Sequence, residues 1–426
     1  MTQKNTFALK GDICFSKSSR ELVTLKDGYV VCRGGVSLGV FKDLPPFCDS
    51  GCVEDYSGHL IIPGLTDLHV HAPQYALRGF GMSMELVDWL NTNAFPEETK
   101  FSNLDYAAKA YSVFAEDMKR SPNTRACIFA TIHRESTELL MEILESTGLD
   151  VMVGKVNMDR NAPQNLSEKD AKTSAEDTSE WIRNTAAKFE NVKPIITPRF
   201  VPSCTDELMA SLGNISREYN IPVQSHLSEN EGECRWVKSL HPESKFYGDV
   251  YDKYGLFGEY TKTIMAHCVL SSPEETALMK ERGVYIAHCP QSNTNLSSGA
   301  APVRRYLDMG MNIGLGSDVA GGSSLSIMRA MVDAIQASKL RWRLKDQELA
   351  PLTIQEAFYM GTIGGGAFFG KVGSFEEGYE FDAVVIDEQN MRTPLNLTIE
   401  ERLERTVYLS DNSAVIGKFV KGKKLF

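Results

Sequence analysis

Eight short apolar runs, separated by segments of helical pattern, leave this chain few folds to choose from. The runs are Leu60–Leu65, Ala126–Ile132, Val151–Val156, Pro194–Ile196, Ile221–Val223, Thr263–Ala266, Val284–Ala287 and Asn312–Leu315. Between them, Leu104–Met118, Thr137–Ser146, Ala175–Phe189 and Thr205–Tyr219 carry apolar residues at helical spacing. Pro273, followed by Glu274 and Glu275, opens a further helix. Proline suits a first helical turn, whose N–H groups have no partner anyway, and acids there complement the helix dipole. Strand alternating with helix over about 300 residues predicts an α/β fold, and eight strands predict a (β/α)8 TIM-like barrel. No internal sequence repeat is present.

The two ends have a different texture. Phe7–Leu9, Ile13–Phe15, Tyr29–Cys32 and Val36–Phe41 read as short strands, with turns expected at Lys26–Gly28 and Arg33–Gly35. Ser324–Leu340 and Thr353–Met360 read as helices, and Val372–Ile386 as a turn feeding a strand. Residues 406–426 alternate apolar and polar, with a strand expected over Ala414–Leu425. The expected organisation is a small β-sandwich domain built from residues 1–62 and 371–426, with a barrel over 63–370.

A net charge of −11 argues against a nucleic-acid partner, because phosphate binding needs clustered Lys and Arg. The opening Met1–Thr6 is not followed by an apolar core, and no run of about twenty apolar residues exists. The expectation is a cytoplasmic protein that acts on a small molecule and does not enter a membrane. The nine cysteines are odd in number and scattered. Cys48 and Cys52 form the one close pair, without the repeat of a zinc framework, so free thiols are expected.

The residues that close the apolar runs carry the chemistry. In a strand, alternate side chains share a face, so His69 and His71 project together and offer half of a zinc site. Later runs close in Thr197–Phe200, His226–Glu229, His267, His288 and Ser317-Asp318. The C-terminal strand ends of a barrel converge on one mouth, so five of the eight histidines are expected there. His69, His71, His226 and Asp318 supply three imidazoles and a carboxylate, a set that suits zinc or iron(II) and the activation of water. Glu229, three residues past His226, is placed to move protons to a ring nitrogen and a leaving amine.

Plainer readings stand beside these. Asp318 can be a turn aspartate and Glu229 a helix-capping acid. His288 and His133 read as buried structural residues, and His59 and His241 as exposed or local. Gly364–Gly366 lacks the Lys-Ser/Thr of a phosphate loop and reads as close helix packing.

Pro63-Gly-Leu-Thr-Asp-Leu-His-Val-His71, with later strand-end histidines and Ser317-Asp318, resembles the amidohydrolase superfamily of metal-dependent barrels. The resemblance covers nearly the whole chain, including Gly373–Ile386. No lysine ends the fourth strand, since Lys193 precedes it, and this implies a mononuclear site of the deaminase type. A finer resemblance is to the guanine deaminase family, carried by His71-Ala-Pro-Gln-Tyr75, Trp89-Leu90 with Phe95-Pro-Glu97, Thr197–Phe200 and Ser225–Asn230.

That resemblance implies one zinc per chain, with iron(II) as the alternative, held by His69, His71, His226 and Asp318. It implies Glu229, Asp318 and His267 as catalytic groups, His267 standing beside the water. Gln74, Arg199 and Phe200, with Trp89, would contact guanine, alongside His226, Glu229, His267 and Asp318. The implied reaction is hydrolysis of guanine to xanthine and ammonia by a homodimer. The ligand set is shared by many deaminases and chlorohydrolases, so specificity rests on Gln74 and Arg199-Phe200. The alternatives are an aminohydrolase of another purine, a pterin or a triazine, and a silent scaffold. The H-x-E…P-C-x-x-C signature of cytidine-type deaminases is absent.

Overall fold

A computed structural model describes Thr6–Phe426; Met1–Asn5, with the start of the expected 1–62 segment and most of the leader reading, lie outside the described residues. The chain opens with β1 (Thr6–Ser18), β2 (Glu21–Arg33), β3 (Val36–Phe41) and β4 (Val53–Pro63). A central series follows: β5 (Leu65–His71), β6 (Asn123–Phe129), β7 (Asp150–Gly154), β8 (Val156–Asn157), β9 (Val192–Pro194), β10 (Thr197–Pro198), β11 (Val223–Leu227), β12 (Thr263–His267), β13 (Tyr285–His288) and β14 (Asn312–Leu315). It closes with β15 (Ala383–Ile386), β16 (Val415–Val420) and β17 (Lys423–Lys424).

Both ends of the chain enter one seven-stranded sheet of order β17-β16-β15-β4-β1-β2-β3. Leu9, Ile13, Phe15, Phe375, Phe381 and Phe419 form a separate small core against it. Two sequence expectations change here. Phe7–Leu9 and Ile13–Phe15 are halves of one strand, and Lys26–Gly28 lies inside β2 rather than in a turn. The turn chemistry is used as a bulge: the register slips between Gly11 and Ile13, Asp27 takes a left-handed φ of 49°, and its N–H donates to Asp12 Oδ1 at 2.9 Å. Pairing of β1 with β2 on one side and β4 on the other overrides the local turn preference.

The central strands form two four-stranded parallel sheets, β5-β6-β7-β9 and β11-β12-β13-β14. Backbone hydrogen bonds join them at both margins. Ile196 N–H donates to Pro222 O and Gln224 N–H to Ile196 O, both at 2.9 Å; Asp318 N–H donates to His69 O at 2.8 Å and His71 N–H to Val319 O at 3.1 Å. The arrangement is TIM-barrel-like, with helices between successive strands, and every residue of β5 is buried, as expected for a strand covered on both faces.

The expected run Leu60–Leu65 is divided. Leu60–Ile62 and Pro63 pair with Ala383–Ile386 in the terminal sheet, and the first central strand starts at Leu65. Gly64 makes the crossing because a Cβ there would stand 2.2 Å from Thr124 Oγ1.

Helices follow their local signals closely. Asn103 caps Leu104–Arg120 by accepting from the N–H groups of Asp105 and Tyr106, Thr205 caps Asp206–Tyr219, and Pro273–Arg282 forms as read. Residues 406–409 depart from the expected alternation. They finish the helix Ile399–Leu409, opened by a reciprocal Thr398–Glu401 capping box, and the terminal strand begins at Val415. Gly364 and Gly366 are packing glycines: a Cβ at either would stand 2.4 Å from the backbone oxygen of Ile313 or Val372. All nine cysteines are free. Among the described residues no helix is long and apolar enough to cross a membrane.

Candidate active site

The strand-end residues gather at one place. His69 and His71, two apart on β5, bring their Nε2 atoms to 3.2 Å from each other. His226 on β11 brings its Nε2 to 3.3 Å from that of His71. Asp318, just past β14, places Oδ1 3.2 Å from His69 Nε2 and 3.5 Å from His71 Nε2. All four lie in the protein interior, with only His226 partly accessible. His267 ends β12 with Nε2 3.4 Å from Glu229 Oε2 and 3.8 Å from Asp318 Oδ2. His267 and Asp318 both adopt left-handed φ values, 73° and 43°, which turn the chain sharply at the strand ends.

This donor set fits a divalent ion. His226 Nδ1–H donates to the carbonyl oxygen of Arg199 at 2.6 Å, so its Nε2 presents a lone pair to the cluster. Burial first, then the neighbouring imidazoles, holds His71 and His226 well below the usual histidine range. Burial opposes ionisation of Asp318, yet His69 and its neighbours overcome it and hold the carboxyl well below its usual range. The ligand nitrogens of His69, His71 and His226 lie within 4.8 Å of one another, and the Asp318 carboxylate stands against the first two; neutral lone pairs and a carboxylate set face to face in this way are balanced by a divalent cation between them.

Glu229 stands beside the cluster. Burial, then Glu233 and Asp318, pushes its carboxyl well above the usual range, which suits a group that must hold and release a proton. Ser298 Oγ donates to Glu229 Oε1 at 3.4 Å. The helix-capping role weighed for Glu229 falls instead to Glu233. With Asn230 it forms the capping box of helix Glu231–Leu240, and its Oε2 accepts from Glu229 N–H at 3.1 Å.

A cavity opens on these groups. Gln74, Trp89, Arg199 and Phe200 line it together with Glu229 and His267. Gln74 lies in the turn after β5, and Arg199 and Phe200 just past β10.

The remaining histidines divide. His288 is buried, and burial pushes it down to about 3, in keeping with a structural role. His133 is half-buried, as is His59. His241, expected to be exposed or local, is buried: it caps the end of helix Glu231–Leu240, and its Nε2 lies 3.3 Å from Arg160 Nη2.

Three neighbours of the site escaped the sequence reading. Asn293 Oδ1 accepts from His267 Nδ1 at 2.8 Å, leaving Nε2 to face Glu229. Glu233 touches Glu229 as described, and its place at the third position of a helix after Asn230 was a legible capping signal. Glu98 contacts both Gln74 and Arg199; its one sequence signal was its place directly after Phe95-Pro-Glu97.

A metal-ready cage at the ends of parallel strands, opening into a small-molecule cavity, is the arrangement of a metal-dependent hydrolase. The amidohydrolase family profile matches residues 60–425, and the chain belongs to that family. Within it, the chain is similar to guanine deaminases. It is 40% identical to that of Dictyostelium discoideum over 398 residues, covering 90% of this chain and 88% of the relative. It is 38% identical to that of Homo sapiens over 393 residues, covering 89% and 86%. The crystal structure of guanine deaminase from C. acetobutylicum with guanine bound in its active site superposes with a TM-score of 0.96 at 48% identity, covering 99% of this chain and all of that one.

Proposed function

We infer that this protein is a hydrolase that deaminates guanine to xanthine and ammonia. The observation that carries the reading is one cavity in which the His69, His71, His226 and Asp318 cage adjoins hydrogen-bond donors on Gln74 and Arg199. The similarity to guanine deaminases over most of the chain supports it.

His69, His71, His226 and Asp318 would hold the ion, with zinc the first choice for an N3O set and iron(II) the second. A bound divalent ion supplies Lewis acidity and acidifies water at neutral pH. The chain supplies the rest. Guanine exposes O6 and N7 as acceptors, and Arg199 and Gln74 offer N–H donors to that edge. Phe200 and Trp89 are apolar faces for the purine plane. Glu229 passes a proton to ring N3 as water adds its hydroxyl at C2, and then helps the proton of that hydroxyl reach the exocyclic amine, so that the C2–N bond breaks, ammonia leaves and the C2 carbonyl forms. His267, fixed by Asn293, orients the water together with Asp318.

We assign this chemistry to a (β/α)8 barrel within residues 63–370, beside a small domain that the two ends of the chain build around the terminal sheet. The test is ammonia release from guanine, adenine, cytosine and a pterin side by side, with elemental analysis of the same sample. Fast turnover of guanine alone with one metal per chain is expected. A metal-loaded protein inert toward guanine but active on another aminated ring would replace the substrate assignment.

A further inference from the structure

Glu98 does not line the cavity, yet it is the residue on which the two polar side chains of the proposed base-binding end converge. It closes the short helix Phe95–Glu98 and is buried. Its Oε1 accepts from Gln74 Nε2 at 2.8 Å, and its Oε2 accepts from Arg199 Nη1 at 2.5 Å. Phe95, on the same helical turn, lies under the Arg199 guanidinium at 5.0 Å. One four-residue element therefore holds Arg199 by charge and by its aromatic face, and holds Gln74 by the other carboxylate oxygen.

The consequence is chemical as well as steric. A glutamine amide can sit either way round, and here both ends are specified. Its Nε2 faces the Glu98 carboxylate, and its Oε1 accepts from Ala320 N–H at 3.3 Å. The flipped amide would set oxygen against carboxylate and N–H against N–H. A carboxylate at position 98 thus makes Gln74 present its remaining N–H, beside an arginine that has only donors. The end of the cavity formed by Gln74 and Arg199 becomes a wall of donors.

We propose that Glu98 is a positioning residue that sets specificity: by clasping Gln74 and Arg199 it fixes a donor-only wall that accepts a 6-oxo purine and rejects a 6-amino purine. The proposal rests on the reading of Gln74 and Arg199 as guanine contacts. Guanine and 2,6-diaminopurine separate the cases, because both carry the reacting amine at C2 and differ at position 6, an acceptor in one and a donor in the other. A donor meeting a donor in a dry site leaves both unpaired, which is the basis of strong discrimination.

The experiment is Glu98→Gln in the metal-loaded enzyme, with kcat and KM measured on both purines. The neutral amide at 98 can donate, so it no longer dictates the orientation of Gln74 and no longer pairs the charge of Arg199. The expected result is a fall of at least about tenfold in the guanine to 2,6-diaminopurine ratio of kcat/KM, carried mainly by guanine KM, with metal content unchanged. A merely structural role would lower both substrates together and leave the ratio alone; that outcome overturns the proposal. If Glu98→Gln does not fold, Glu98→Asp carries the same measurement. Its shorter carboxylate keeps the charge but reaches one partner at a time, so a smaller fall in the ratio is expected and an unchanged ratio overturns the clasp. Arg199→Ala separates the two layers. A raised guanine KM there with an unaltered ratio in both Glu98 variants sinks the clasp alone, whereas an unaltered KM in Arg199→Ala sinks the base-contact reading beneath it.

Discussion

His226 is held in place by the backbone of Arg199: its Nδ1 donates to the Arg199 carbonyl oxygen at 2.6 Å, while the Arg199 side chain turns into the cavity. The segment Thr197–Phe200 therefore links an imidazole of the cage to a donor of the proposed base-binding end. Ser225 Oγ ties the two strands again by donating to Pro198 O at 2.7 Å. A shift of this segment moves both parts of the site together.

Glu229→Gln keeps nearly the same shape and loses the proton-carrying carboxyl. The variant should bind metal normally and lose at least about 10²-fold in kcat, the usual range for a general acid–base group. Ammonia release with elemental analysis decides it. Near-normal turnover would remove Glu229 from the reaction.

Metal removal should abolish activity and lower the thermal midpoint together, because the cage leaves buried imidazoles and a carboxylate facing one another. Binding to the folded state alone is worth about 2.7 kcal/mol at a ligand concentration 100 times Kd. Dialysis against a chelator, followed by calorimetry and then addition of zinc or iron(II), should show loss and recovery of both properties. Retained turnover in a sample shown to be metal-free would refute the cage as the reaction centre.

The terminal sheet and the central strands are coupled through Arg125. On β6, it reaches Asp382 with Nε at 2.6 Å, Asp150 with Nη1 at 2.9 Å and Glu380 with Nη2 at 2.9 Å. Arg125 and Asp382 are both buried. Arg125→Met keeps the bulk and strands the Asp382 carboxylate, so a loss of about 3–5 kcal/mol is expected. Urea unfolding measures it, and a change below 1 kcal/mol would show that water or another cation replaces the guanidinium.

Thiol reactivity should be confined. Cys52 is exposed, whereas burial pushes Cys14, Cys32, Cys204 and Cys234 up to about 12. A raised thiol pKa keeps the unreactive protonated form at pH values below it. Iodoacetamide at pH 8 should therefore label Cys52 first in the native protein, read by peptide mass spectrometry. Comparable labelling of the buried thiols would contradict their packing.

Much of the site was legible because its signals are local. A period of two put His69 and His71 on one face of a strand, and strand ends of a parallel sheet share one edge, which brought His226, His267 and Asp318 to them. The helix Pro273–Arg282 was equally legible, since Ser272, Pro273 and two glutamates specify its start within a single turn. Lys26–Gly28 misled for the converse reason. Its turn preference is genuine but small, and strand pairing on both sides of β1 converts it into a bulge.

The amino-acid sequence by itself determined which side chains stand at the strand ends and what chemistry they can perform, because those properties depend on residue type and near-neighbour spacing. Tertiary structure alone decided where Leu60–Pro63 leaves one sheet for the other at Gly64, and that Glu98 reaches Gln74 and Arg199 at once. Those outcomes depend on groups 24 to 101 residues away for Glu98, and on the shape of neighbouring strands for the crossing. No local pattern encodes such distances, so they emerge only when the strands close around a common core.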